Sequence, residues 1–233
     1  MPVVAMDYPK PDGTSTFTDY TQFMEKDGAY FDIGKESSNL FELPNLRSLP
    51  PKLQQERFED YKDFLATAVM AMVIGSGGNT QSKQHIDAVR SIIALALKAF
   101  FGDDLIRDRY AAAYTNGFGS DEWFAMPTLH DFLSFCSHER LQLEDNSGDS
   151  KAALETIKLR LRFWLSSRVG QALAQPSTFR SDARLLIFAL RNLSNDEDAA
   201  VLSLSAYSAA LRRALAAPAS IFFIDESPIL FEY

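Results

Sequence analysis

Four large apolar residues, Ile221-Phe222-Phe223-Ile224, run directly into two adjacent carboxylates, Asp225 and Glu226. A continuous apolar run without alternation suits a strand covered on both faces, as in a parallel sheet flanked by helices. Ligands of such sheets bind beyond the carboxyl ends of the strands, which is where this strand would deliver its two acids. There the first carboxylate can hold a divalent cation through water, and the second can orient or deprotonate an attacking water. This is the Walker B pattern. The same letters also describe a buried strand that happens to end in acids.

The two carboxylates need a sheet behind them, and the chain offers its parts. Leu185 to Leu190 is a second apolar run without alternation. Between it and Ile221 lies a helical segment: Ser194 and Glu197 form a capping box, Asp196 to Asp198 occupy its positive end, Arg212 and Arg213 its negative end, and Pro218 stops it. Residues 185 to 226 therefore read strand, helix, strand, which a right-handed crossover joins into a parallel pair. Val3 to Met6 is a third short apolar run, ending at Asp7 in the turn-rich YPKPDGTST. Thr18 caps a brief helix through Glu25, Gly28 ends it, and a strand follows over Tyr30 to Ile33. Val3 to Met6, Leu185 to Leu190 and Ile221 to Ile224 are expected in one largely parallel sheet, with Asp7 and Asp225 at the same edge.

Two glycine-rich stretches invite comparison with a phosphate-binding loop. Gly34-Lys35-Glu36-Ser37 fails on spacing, because Glu36 stands where Ser or Thr must follow the lysine and Ala29 where a second glycine must open the loop. Gly75-Ser76-Gly77-Gly78-Asn79-Thr80 lacks the Gly-Lys-Ser/Thr core and reads as a helix connection.

From Pro50 to about Ala174 the period is helical. Phe58, Tyr61, Leu65, Ala68 and Met72 mark one helix, bounded by Pro51 and Gly75; Ile86, Val89, Ile93, Leu97 and Phe100 mark a second, ending at Gly102. Thr128 and Asp131 form a capping box for a third, with Leu129, Phe132, Leu133 and Cys136 inward. After the polar connection LEDNSGDS, residues 143 to 150, a fourth carries Leu154, Ile157, Leu161, Trp164 and Leu165. These stripes are expected to pack chiefly against each other, as a helical subdomain beside the sheet. His130, Cys136 and His138 lie close in sequence but match no zinc spacing. Lys158, Arg160, Arg162 and Arg168 read as a solvated helix face, with a nucleic-acid contact left open.

Composition sets the outer bounds. The 233 residues, 46% apolar and 12% aromatic, are enough for one large α/β domain or two small ones. A formal charge of -8 argues against a broad nucleic-acid footprint. The single cysteine, Cys136, excludes an internal disulfide framework and fits a reducing compartment, so the cytoplasm is expected. MPVVAMDYPK has no signal-peptide pattern, and the most apolar helix candidate, Ile92 to Phe101, is short and interrupted by Lys98.

Several separated stretches converge on one family. PVVAMD with its Thr/Ser-rich turn, AYFDIGKESSNLFELP, MPTLHDFLSF, GQALAQPSTF leading to RLLIFALRNL, and IFFIDE follow one another in an order and spacing that resembles the nucleotide-binding part of the conjugative-transfer and type IV secretion ATPases. These are RecA-like P-loop enzymes of the VirB/Tra type. The resemblance implies an α/β fold, a partial RecA-like sheet with a large all-helical subdomain. It divides the chain into residues 1–49 and 177–233 of the nucleotide-binding core and 50–176 of the helical subdomain. It implies ATP and Mg²⁺ as cofactors of the complete enzyme, Asp225 as the metal-linked aspartate and Glu226 as the catalytic glutamate. It further implies a hexamer working with other secretion or conjugation components, at the inner face of the membrane. Ser227-Pro228-Ile229-Leu230 departs from the family's usual Ala-Trp continuation, and the Walker A strand and loop that should precede Val3 are not in the sequence. The chain is thus expected to be an internal or truncated piece of the motor domain. The competing expectation is a non-catalytic interaction module that carries the carboxylates without using them.

Overall fold

The strands assemble out of chain order. A computed structural model describes residues 3–7, 28–32, 35–75, 81–143, 148–179, 185–189 and 196–216. Three short strands, β1 (Val3–Asp7), β2 (Gly28–Asp32) and β3 (Leu185–Ala189), form a sheet in the order β1-β3-β2. Both pairings are parallel, Val3 and Gly28 standing opposite Leu185, and Asp7 and Asp32 opposite Ala189. The expected parallel pairing of the Val3 and Leu185 runs is present. Gly28 lies inside β2 instead of ending a helix, and β2 begins two residues before the Tyr30 expected from apolar pattern. A glycine fits there because the register is set by hydrogen bonds to β3, which need no side chain. The segments Thr18 to Glu25, Ser76 to Thr80 and Ile221 to Glu226 lie outside the described residues, as do Ile33, Gly34, Ser194 and Pro218.

Nine helices follow β2 among the described residues: α1 (Pro51–Ile74), α2 (Lys83–Gly102), α3 (Asp104–Asn116), α4 (Asp121–Phe124), α5 (Leu129–Phe135), α6 (His138–Leu141), α7 (Gly148–Ser166), α8 (Arg168–Leu173) and α9 (Asp196–Ala216). Pro51 at the first position of α1 loses nothing by its missing N–H. Ser82 and Asp103 cap α2 and α3, and Thr128 and Asp131 form the full capping box expected of α5. The predicted inward faces of α1, α2 and α7 are buried at Tyr61, Leu65, Ala68 and Met72, at Val89, Ile93, Leu97 and Phe100, and at Leu154, Ile157, Leu161 and Trp164.

Helices α1 to α8 make their principal contacts with one another. α2 packs most extensively on α7, and α1 on both. The Trp164 indole N–H donates to the Met72 carbonyl at 2.8 Å, which satisfies the polar end of a large ring that is 1% exposed. Phe41, Phe100 and Phe132 form an aromatic cluster where the loop after β2 meets α2 and α5, with ring centroids 5.2 to 5.9 Å apart. Helix α9 contacts β1, α1 and α8, joining sheet and helices.

The short helices depend on small backbone details. Between α7 and α8 the chain turns so tightly that a Cβ on Gly170 would stand 1.9 Å from the Trp164 carbonyl oxygen. Ser167 accepts the Gly170 N–H and donates to the same Trp164 oxygen. Arg47 braces the far end of α3 by donating to the Ala111 and Tyr114 carbonyls; the Ala111 oxygen also accepts from the Thr115 hydroxyl.

Candidate functional site at the carboxyl edge of the sheet

The three strands end level, so Asp7 and Asp32 flank Ala189 at the carboxyl edge of the central strand. In a parallel sheet this edge is where ligands bind. The chain leaves β2 through the segment compared above with a phosphate loop, and the geometry explains why it is not one. The backbone N–H groups of Lys35 and Glu36 both donate to the Asp32 carbonyl at 2.8 Å, and Lys35 Nζ lies 3.9 Å from the Asp32 carboxylate. Those donors are turned back on the strand end.

Residues 37 to 42 then run against residues 172 to 179, the segment that precedes β3. Ser38 N–H donates to the Ala172 carbonyl, Leu40 N–H to Leu173, and the Thr178 and Phe179 N–H groups to Ser37. Side chains add to the seam. Ser37 N–H donates to Thr178 Oγ1 at 2.8 Å, Asn39 N–H to Ser177 Oγ at 2.7 Å, and Asn39 Nδ2 to the Pro127 carbonyl. The exit of β2 and the approach to β3 are thereby laced together, which holds the edge in register.

Beneath this seam lies a buried polar cluster. Arg212 of α9 is 4% exposed, Glu42 of the loop 4%, and Tyr61 of α1 fully buried. Arg212 Nε lies 3.6 Å from Glu42 Oε1, and its Nη1 donates to Ser208 Oγ at 2.9 Å and to Tyr61 Oη at 3.4 Å. Tyr61 donates to the Glu42 carbonyl at 2.8 Å, and Ser177 Oγ to Glu42 Oε2 at 2.6 Å. Burial opposes the charge on Arg212, but Glu42 and Tyr61 outweigh it and hold the guanidinium above its ordinary pKa. Burial likewise pushes the Tyr61 hydroxyl up, against the opposing pull of Arg212. The cluster is an ion pair with neutral hydroxyls around it. It is closed to solvent, and its capacity is positional: it fastens the β2 exit to α9, the helix that leads toward Asp225 and Glu226.

The sequence places Arg212 at the negative end of the helix, and the structure adds that it is buried there. Arg212 continues the buried face of Ser205, Ser208 and Ala209 at helical spacing. A face of small residues lets another segment approach closely, and that approach carries the arginine inside. The run of small residues on α9 was the available signal. The loop acid Glu42, followed by Leu43 and Pro44, carried none.

Asp225 and Glu226 lie outside the described residues. His130 is exposed, His138 half-buried and Cys136 buried, and no group of three or more metal-type side chains occurs among the described residues. Burial pushes the Cys136 thiol up to about 12, which favours the neutral thiol over the thiolate. The basic run is divided: Lys158 pairs with Glu155 at 3.0 Å, and Arg160 donates to the Val73 carbonyl while lying 5.5 Å from the Phe163 ring centre. No described helix is long and apolar enough to cross a membrane.

No protein-family model and no curated protein matches the sequence. Among solved structures, the fold resembles VirB4. The structure of VirB4 of Thermoanaerobacter pseudethanolicus superimposes with a TM-score of 0.52 over 91% of this chain and 69% of that one, at 11% sequence identity. At that identity the likeness is one of fold. The VirB4-like arrangement agrees with the family suggested by the ordered sequence stretches.

Proposed function

We propose that this chain is part of an ATPase that powers conjugative DNA transfer or type IV secretion and assembly of the apparatus. The observation that carries the reading is the level carboxyl edge of three parallel strands, bordered by Asp7 and Asp32, in a chain with a VirB4-like fold. Residues 1–49 and 177–233 belong to a RecA-like nucleotide-binding core, and 50–176 to a helical subdomain. On this reading Asp225 and Glu226, which lie outside the described residues, act at the same edge as Asp7. Asp225 holds Mg²⁺ through water, and Glu226 orients the attacking water and accepts its proton. Bound ATP-Mg²⁺ supplies the phosphoryl group and the neutralising charge.

The described edge suits the cation better than the phosphates. The Asp32 carboxylate is an oxygen donor of the kind Mg²⁺ takes, whereas the N–H groups of Lys35 and Glu36 are already given to the Asp32 carbonyl. The phosphates must be cradled by a Gly-x-x-x-x-Gly-Lys-Ser/Thr loop, a pattern that does not occur within the 233 residues. The same observation favours the second reading, a non-catalytic interaction module of such an ATPase. In the first reading the complete enzyme works as a hexamer with other secretion or conjugation components, at the inner face of the membrane.

Phosphate release separates the two. The 233-residue chain is expected to bind ATP-Mg²⁺ weakly and to hydrolyse it negligibly, while a version preceded by a strand and P-loop recovers both binding and turnover. Robust hydrolysis by the 233-residue chain would show that the phosphate site has been misassigned. Failure of the P-loop version to bind nucleotide would favour the interaction module.

A further inference from the structure

The second half of α2 turns one face outward, away from the core. Leu95, Lys98, Ala99 and Gly102 recur at helical spacing on this face and form one wall of a surface groove of about 540 Å³. Arg140 also lines it, as does the largely buried Phe135. The volume lies within the range of ligand-binding clefts, and the open shape is that of a trough.

Its chemistry is apolar along the floor and cationic at the rim. Leu95 is 45% exposed, on a helix whose other face is buried. Arg140 is held in place, its guanidinium 4.2 Å above the Phe135 ring centre and its Nη1 3.5 Å from Asp103 Oδ2. Asp103 is also engaged at its other oxygen, which accepts the Ile106 N–H at the start of α3. Lys98 is exposed and forms no ion pair with any described residue. The groove thus sets two cations against one committed carboxylate, in a chain whose formal charge is -8. A local reversal of sign beside exposed apolar surface selects for a partner that is both acidic and apolar.

We propose that this groove docks an acidic amphipathic helix of a partner protein. Its apolar side chains lie on Leu95 and Ala99, and its carboxylates meet Lys98 and Arg140. The small residues Ala99 and Gly102 allow close approach, and the space beside Gly102 is open, with nothing within 4 Å of a Cβ built there. The site lies on the helical part of the chain and is independent of the nucleotide reading.

The openness at Gly102 supplies a blocking variant. Fluorescence anisotropy with a labelled Leu/Glu amphipathic peptide, and with a Leu/Lys twin of the same apolar pattern, is measured on the 233-residue chain. The Leu/Glu peptide is expected to bind, more weakly as salt rises, and the Leu/Lys twin not to. Gly102→Leu fills the trough, and the double variant Lys98→Glu/Arg140→Glu reverses its charge. Each is expected to weaken binding by about tenfold or more, with an unchanged melting temperature. If Gly102→Leu lowers the melting temperature, the double variant, both of whose positions are exposed, decides. Equal binding of the two peptides overturns the proposal, as does no effect of the double variant. Preferential binding of a single-stranded oligonucleotide overturns it in favour of a phosphate ligand. Self-association that Gly102→Leu abolishes overturns it in favour of a second copy of this chain.

Discussion

Glu42 and Arg212 are 170 positions apart in sequence, yet they form the charged centre of the described structure. Removing one member of a buried pair leaves the other charge uncompensated, so Arg212→Met is expected to cost roughly 3–5 kcal/mol of unfolding free energy in urea titration. The double variant Glu42→Gln/Arg212→Met should lose clearly less than the two single losses combined, because no lone charge remains. Simple additivity would mean that the two side chains do not act on each other. Asp131 offers a pH test. Burial raises its pKa, but the Arg109 guanidinium, with contacts of 2.5 and 3.1 Å, and the Thr128 N–H bring it below the usual carboxylate range. A depressed folded pKa contributes stability that is complete at neutral pH and fades as pH falls below about 4. Asp131→Asn is expected to lower stability at pH 7 and to flatten that part of the acid limb; an unaltered limb would contradict the assignment.

At the scale of elements, tightness and burial make separate forecasts. Gly170→Ala forces a methyl group into the Trp164 backbone, where neither side is a flexible chain end. It is expected to destabilise by about 1–3 kcal/mol or more, and to loosen the α7–α8 turn as seen by hydrogen exchange. Cys136, packed at the end of α5 with its thiol pushed up to about 12, should resist thiol reagents at pH 8 until denaturant unfolds the helical region. Rapid labelling of the native chain would mean that α5 opens locally. The elements that were legible beforehand share a strong local signal. α1, α2 and α7 carry four or more apolar residues at helical spacing, and α5 opens on a capping box whose two reciprocal bonds are present. α3 and α4 gave no comparable pattern: α3 buries only Ile106, Tyr110 and Ala113. It is held instead through polar contacts to the loop after β2, such as Tyr110 Oη to the Phe41 carbonyl at 2.7 Å. Contacts of that kind join residues far apart in the chain and leave no periodicity.

For the whole molecule, the parallel pairing of β1 with β3 followed from apolar runs too short and too continuous for a half-exposed strand. The insertion of β3 between β1 and β2 did not follow, because strand order depends on crossovers that amino-acid pattern does not encode. The same limit applies to the seam between residues 37–42 and 172–179, whose serines, threonine and asparagine read as ordinary loop residues until the two segments meet. The candidate carboxylates Asp225 and Glu226 were chosen from sequence, and what the described structure contributes is the edge that would receive them. The account turns on the division of labour between these two acids. In the version preceded by a strand and P-loop, nucleotide affinity and phosphate release are measured together for Glu226→Gln at matched protein concentration. The amide keeps the shape of the side chain but cannot take the proton. The account predicts retained ATP-Mg²⁺ binding with turnover lost; full hydrolysis by Glu226→Gln would contradict it.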